Sequence, residues 1–501
     1  MSELGRTPDT APDILPDPGD RDNVQFNPTA AELRTLAQES EATTTFGAPA
    51  YVSAQRSRSA DRTRNAIDAT FGPSDHGVID DAVSYASEHD MICLDRRLGR
   101  HPEMTFTCRY YVPPAYARIA LTVERLLEPA QPDAVPDFLT IQLPDWDDIA
   151  IRVQPEAGVT AILGSDYSGE AKKSYLRLFM YEAKRRGGIG LHAGSKRIRL
   201  EDTDGTMRDI GQLFLGLSAT GKSTLTAHGL WLKEPEEATM VQDDVCALLP
   251  DGTVAGSEGA GLYVKTHGLN RSEQPAIYDA VTHDTAVLEN VDVAADGTVD
   301  FDGETYTANG RAAIRRDHLA SADPDIDLSS LDQVFFITRH PLMPPVARLS
   351  PTQAAAAFMC GESIETSAGD PDRAGEPVRV VGTNPFIIGS KGEEGNRFRA
   401  LIDRLDIDAY VLNTGSIGDV DIRVDETVTL LREIARGRVS WLEDTASGYT
   451  IPGEVPGLDM DRFRPNRLFD AYDEKLEVLQ DERRQYLRQF TSLDDSITDG
   501  F

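Results

Sequence analysis

One eight-residue run constrains this chain more than anything else in it. Gly216-Leu217-Ser218-Ala219-Thr220-Gly221-Lys222-Ser223 fits G-x-x-x-x-G-K-[ST] without a gap. An apolar strand, Leu213 to Leu217, leads into it, and Thr224 to Leu232 reads as a helix leaving it. Glycines in such a turn let backbone N–H groups approach phosphate oxygens. The following helix aims its positive end at the anion. Lys222 supplies a point charge for the β- and γ-phosphates, and the Ser223 hydroxyl is placed to ligate Mg²⁺. The pattern predicts a nucleoside triphosphate site over Gly216 to Ser223, with Thr224 opening the helix. Such a site needs acids at the end of a neighbouring strand. Thr239-Met240-Val241-Gln242-Asp243-Asp244 provides two of them.

The surrounding pattern alternates. Phe138–Leu143, Val159–Leu163, Thr239–Val241, Val334–Thr338 and Tyr410–Leu412 read as strands. Ala30–Thr43, Ser174–Arg186, Ala354–Met359, Val428–Ala435 and the amphipathic stretch Asp470–Phe490 read as helices. Ser53–Arg64 is a polar, arginine-rich loop, and there is no internal repeat. This is an α/β or α+β chain with a mixed sheet around the nucleotide site. Its 501 residues allow two or three domains. Residues 1–28 are polar, acidic and proline-rich, and are expected to form a flexible tail. The remainder divides into domains over 29–205 and 206–501.

Acids outnumber bases 83 to 50, for a formal charge of −33. That field repels nucleic acid and anionic membranes. No segment approaches the ~18 apolar residues of a membrane span. The first residues lack a basic stretch followed by an apolar one. A cytoplasmic enzyme is expected. Only nine of the 50 basic residues are lysines. An acidic, lysine-poor surface suits high cytoplasmic salt, and each lysine that survives merits attention. Cys93, Cys108, Cys246 and Cys360 form no metal knuckle or redox pair and read as small buried hydrophobes.

The segment Gly216–Leu225 (GLSATGKSTL) is very similar to the kinase-1a loop of ATP-type phosphoenolpyruvate carboxykinases. Tyr167-Ser168-Gly169-Glu170-Ala171-Lys172-Lys173 resembles that family's YxGExKK, and His192 follows Lys173 by the family's 19 residues. Glu258–Leu269, Val287–Val291, Val299–Gly303, Pro344–Leu349, Leu412–Gly415 and Pro452–Leu458 match further family segments in order, so the resemblance runs from about Arg97 to Gln489. It implies a two-lobed carboxykinase-type fold, with an N-terminal substrate-binding domain and a C-terminal nucleotide-binding domain. It implies ATP, Mg²⁺ and Mn²⁺ as cofactors, and oxaloacetate and phosphoenolpyruvate as the organic substrates. Lys173, His192 and Asp244 would bind Mn²⁺, the lysine as a neutral amine. Lys222, Lys265 and Arg311 would neutralise the transferred phosphoryl group, with Asp243 beside the metal. Tyr167 would contact the substrate carboxylate or CO₂. Either Arg56 or Arg58 would take the role of the arginine in the family's RSPxDK loop.

The chain departs from the family at four places. His192-Ala193-Gly194-Ser195-Lys196 replaces HCSAN, and Asp243-Asp244-Val245-Cys246-Ala247-Leu248 replaces DDEHGW. The stretch that offers an arginine to adenine reads Asp419-Val420-Asp421-Ile422-Arg423, which leaves ATP, GTP and pyrophosphate open as donors. The RSPxDK loop reads Arg56-Ser57-Arg58-Ser59-Ala60-Asp61-Arg62. The rival function is a P-loop kinase on the same scaffold acting on a hydroxyl acceptor, as HPr-type serine kinases do. The Lys173–His192 pair stands against it, because a simple kinase needs no second, nitrogen-bearing metal site. No sequence feature reports an oligomeric state.

Overall fold

The computed structural model describes residues 14–56, 60–202, 204–217, 220–364 and 376–500. The chain forms two compact units. One holds residues up to Glu182 together with Ser257–Ala320; the other holds Ala183–Gly256 together with Ser321–Phe501.

In the first unit the runs Phe138–Leu143 and Val159–Leu163 are strands buried along their whole length, paired in parallel. Both faces must therefore be covered. The helix Pro73–Glu88 covers one, setting Ile79, Ala82 and Ala86 against Leu139, Ile141 and Leu143. The sheet runs from Val24–Phe26 through Met91–Leu98 and Phe106–Val112 to these strands, and then through Ala150–Gln154 to Thr63–Asn65. A second sheet joins Gly261–Lys265, Arg311–Arg315, Val287–Glu289, Pro49–Tyr51 and Ala42–Thr43. The helix Ala117–Leu126 touches strands of both sheets, which is why even its Arg118 and Thr122 are buried.

In the second unit three parallel strands, Met207–Leu215, Gln333–Thr338 and Asp408–Asn413, lie at the middle of an eight-stranded sheet. Alternation along them sends side chains to opposite faces. Leu213, Leu215, Val334 and Phe336 join a core with the helices Pro351–Cys360, Lys391–Arg404 and Tyr472–Leu487. Phe214, Phe335 and Ile337 join another with Lys222–Ala227 and Val424–Ala435.

Several expectations change. Val24–Phe26 pairs in parallel with Met91–Cys93, so the second half of the expected tail includes an edge strand; residues 1–13 lie outside the described residues. The expected domain boundary at 205/206 falls in the turn of an antiparallel hairpin, Ala193–Glu201 with Met207–Leu215, and a hairpin's ladder does not divide between units. The helix expected over 30–43 is Ala30–Leu36, capped by Thr29 and Glu32. The chain then turns and pairs Ala42–Thr43 with Pro49–Ala50. The helix after the phosphate loop is Lys222–Ala227 rather than 224–232. Gly229 follows it, and Leu230 and Trp231 adopt positive φ.

Candidate active site

The second unit gathers its chemistry along one edge of its sheet. The parallel strands ending at Leu215, Thr338 and Asn413 run into Gly216, Arg339 and Thr414. Ligands of open α/β sheets sit beyond such carboxyl ends. Ala193 pairs with Leu215, so His192 stands at the same edge. Glu237–Gln242 runs antiparallel to the His192 strand, and so delivers Asp243 and Asp244 there as well.

The phosphate loop has the build the motif requires. Gly221 caps the helix Lys222–Ala227 with φ of 97°, a left-handed conformation that favours glycine. A Cβ on Gly216 would stand 2.6 Å from Thr220 Oγ1, which itself donates to Leu217 O at 2.8 Å. Thr414 Oγ1 donates to Thr220 O at 2.8 Å and ties the loop to the third strand. Ser218 and Ala219 lie outside the described residues. Thr224 sits in the first turn of the helix.

The acids and the histidine converge on the start of this helix. Ser223 Oγ donates to Asp243 Oδ2 at 3.0 Å, while the buried Asp243 Oδ1 has no hydrogen-bond partner among the described residues. Lys222 Nζ lies 3.3 Å from His192 Nε2 and 3.9 Å from Asp244 Oδ1. His192 Nδ1 lies 2.7 Å from Thr383 O. A carbonyl only accepts, so Nδ1 carries a proton and the ring orientation is fixed. Nε2 then faces Asp244 Oδ1 at 3.0 Å. Lys222 Nζ stands beside both atoms, so positive charge already faces this nitrogen and this carboxylate oxygen.

The donor set fits a divalent ion: an imidazole nitrogen, carboxylate oxygens and the Ser223 hydroxyl. No group of three or more His, Cys, Asp and Glu side chains shaped for a metal occurs among the described residues. The expected set contains only two such residues, His192 and Asp244. Ser223 stands beside them, and Lys173 belongs to the other unit.

Two participants here are silent in the sequence. Thr383 acts through its carbonyl, which any residue carries. Lys196 is fully buried, and its Nζ donates to Leu225 O and His228 O, both at 2.5 Å, at the C-terminal end of the phosphate-loop helix. Burial pushes its pKa down to about 7.

The first unit gathers the remaining expected residues. A Cβ on Gly169 would fall 2.4 Å from Tyr167 Cε1, so only glycine lets that ring lie across the turn. Lys173 Nζ lies 5.1 Å from the centre of the Tyr167 ring and 3.4 Å from Glu170 Oε1. Lys265, Arg311 and Glu289 form a row across adjacent strands. Burial, and then the Arg311 guanidinium, hold the Lys265 ammonium below the ordinary lysine pKa. Arg311 Nη2 donates to Asn309 Oδ1 at 2.8 Å, and Asn309 Nδ2 donates to Arg56 O at 3.0 Å. Arg56 donates to Tyr306 O at 2.9 Å and lies over the Tyr306 ring. Arg58 lies outside the described residues.

Glu289, which sequence reasoning did not single out, organises this row. It is buried and accepts from Ser168 N and Ser168 Oγ at 3.0 Å, from Arg118 Nη1 at 3.3 Å and from Tyr263 OH. Arg118 Nη2 also donates to Asp166 Oδ2 at 2.7 Å, and Asp166 accepts from Ala54 N and Gln55 N at 2.8 Å. One buried guanidinium thus joins the Tyr167 turn to the loop that carries Arg56.

A family model described as phosphoenolpyruvate carboxykinase, in its ATP form, matches residues 23–461. The chain belongs to the ATP-dependent phosphoenolpyruvate carboxykinase family. The phosphoenolpyruvate carboxykinase (ATP) of Aeropyrum pernix is 36% identical over 477 residues, 94% of this chain and 95% of that protein. Those of Mesorhizobium japonicum and Afipia carboxidovorans are 29% and 28% identical, covering 76% and 83% of this chain. Membership in the carboxykinase family carries ATP and a divalent cation. Arg423 is exposed, caps the helix Val424–Ala435 and pairs with Asp425 and Glu426. No helix among the described residues is long and apolar enough to cross a membrane.

Proposed function

We propose that this chain converts oxaloacetate and ATP into phosphoenolpyruvate, CO₂ and ADP, the gluconeogenic direction, in the cytoplasm. The observation that carries the reading is the edge cluster of Lys222, Ser223, Asp243, Asp244 and His192. The first four serve any phosphoryl transfer. His192, with Nδ1 committed to Thr383 and Nε2 facing Asp244, adds a nitrogen-bearing cation site that transfer to a simple hydroxyl does not require.

Two steps follow. The C–C bond to the leaving carboxylate breaks, CO₂ departs, and the electron pair remains on the enolate of pyruvate. The enolate oxygen then attacks the γ-phosphorus in line, and the bond from that phosphorus to the ADP oxygen breaks. A bound divalent cation supplies positive charge to the oxygen that becomes negative. Ser223 and Asp243 would hold Mg²⁺ for the nucleotide, and His192 and Asp244 would hold Mn²⁺ for the enolate; the share of Lys173 in that ion rests on the family resemblance. Lys222 meets the β- and γ-phosphates, with Gly216–Thr224 as their cradle. In the other unit Lys265 and Arg311 offer adjacent positive charges to the transferred group. Tyr167, and either Arg56 or Arg58, would address the organic substrate.

The test is phosphoenolpyruvate formation from oxaloacetate with ATP, GTP or pyrophosphate in molar KCl, with Mn²⁺ titrated, for wild type and His192→Ala. His192→Ala should lose about 10² to 10⁴ in rate while ATP affinity stays within a few-fold. Full activity of that variant refutes the role of His192. A wild type that phosphorylates a hydroxyl acceptor and ignores oxaloacetate refutes the function.

A further inference from the structure

Arg423 is exposed and pairs with Asp425 and Glu426 of its own helix. The sheet edge offers another arginine. Arg339 follows the central strand Gln333–Thr338, directly beside the strand that feeds the phosphate loop. It is half-buried, yet among the described residues it has no hydrogen-bond or ion-pair partner, and its Nε is fully enclosed. In a chain with 83 acids an unpaired guanidinium needs a reason. Burial alone holds its pKa below the ordinary arginine value. Gly415 lets the neighbouring chain pass close: a Cβ there would stand 3.0 Å from Arg339 Cβ. Thr414, next to it, is hydrogen-bonded both to Thr338 O and to the phosphate loop at Thr220 O.

The order of strands gives a bound nucleotide its direction. Along the edge stand Asp243 and Asp244, then His192, the phosphate loop, Arg339 and Thr414. The reacting phosphate belongs on the side of His192 and Asp244. The nucleoside must then leave the loop on the other side, one strand spacing of about 4.8 Å away, where Arg339 stands.

We infer that Arg339 is a nucleoside-binding residue, packing its guanidinium against the purine base of the bound triphosphate. A planar cation suits the face of a base, and its enclosed Nε favours stacking over contact with water. The inference rests on the reading of Gly216–Ser223 as a nucleotide site.

The experiment measures ATP, GTP and inorganic tripolyphosphate binding to wild type, Arg339→Met and Arg339→Lys by calorimetry in molar KCl with Mg²⁺. Arg339→Met should weaken ATP about tenfold while tripolyphosphate changes less than about twofold. Arg339→Lys keeps the charge and stem but not the plane, and should not restore ATP affinity. Either variant binding ATP as tightly as wild type overturns the assignment, so one folded variant suffices. Equal loss of ATP and tripolyphosphate overturns it in favour of a phosphate contact. A wild type that binds neither ligand sinks the nucleotide reading and this inference together. A wild type that binds both, with ATP affinity unchanged by substitution, sinks the inference alone.

Discussion

Lys196 gives this protein a stability term with an uncommon sign. Its ammonium is fully buried, and burial pushes the pKa from 10.5 to about 7. Between those values the unfolded chain binds a proton that the folded chain does not. Stability must therefore rise with pH across the window from about 7 to 10.5, and this contribution is lost as pH falls toward 7. Below that it is flat, because both states are protonated. At ~1.4 kcal/mol per pH unit the whole window is worth about 5 kcal/mol. That is an upper figure, since the bonds to Leu225 O and His228 O favour the charged form.

Lys196→Met removes the term and keeps most of the volume. It also strands two carbonyls, a pH-independent loss of about 1–3 kcal/mol each. Urea unfolding of both proteins in molar KCl, from about pH 6 to about pH 9, isolates the lysine. The raised thiols of Cys93, Cys108, Cys246 and Cys360 tilt both curves alike and cancel in the difference. His228, whose imidazole burial holds below its usual value, titrates under the window. The wild type should gain up to about 3 kcal/mol on the variant between pH 7 and 9 and nothing below pH 7. Parallel curves over the whole range would show that Lys196 titrates normally and refute the reasoning.

Two other outcomes are expected. The charge of −33 should make the melting temperature rise steeply with KCl, because screening at molar salt shortens the range of repulsion to about 3 Å; a flat or falling midpoint contradicts it. Glu289→Gln should cost about 3–5 kcal/mol, because it leaves the Arg118 guanidinium short of a buried countercharge and puts an amide donor among four donors. It should also raise the KM for oxaloacetate more than that for ATP. A variant as stable as wild type would show that Glu289 is already protonated in the fold.

What was legible in the sequence was what repeats or packs. The short runs Phe138–Leu143 and Val159–Leu163 were legible to the residue, because apolar and β-branched residues dominate them and Pro144, Gly158 and Gly164 bound them. The phosphate loop was legible because its glycines, lysine and serine each meet a separate demand. Helix ends were poorly legible. The first helix stops at Leu36 because the chain must turn to pair Ala42–Thr43, a long-range contact that no local pattern announces. The unit boundary was misplaced for a similar reason: only the pairing of Ala193–Glu201 with Met207–Leu215 shows that both strands belong together. Contacts made by backbone atoms, such as Thr383 O on His192, leave no trace in side-chain identity.

Lysine scarcity was a better guide than the use first made of it. Lys233, Lys391 and Lys475 are exposed, but other lysines stand in places that suit a single nitrogen. In the proposed function Lys222 meets phosphates as a compact charge. Lys173 sits against the Tyr167 ring and Glu170, and Lys265 beside Arg311, where a second fork of donors would collide. That reading reached these three and passed over two more. Lys172 is buried against Glu258 Oε2 at 3.1 Å, three chain positions from the Tyr167–Gly169 turn. Lys196 fits a single nitrogen between two carbonyls 2.5 Å away, a space too narrow for a guanidinium. Both lie within a few residues of the expected metal lysine and histidine, Lys173 and His192. Lys172 is tied to the Glu258 carboxylate, and Lys196 to the end of the helix Lys222–Ala227.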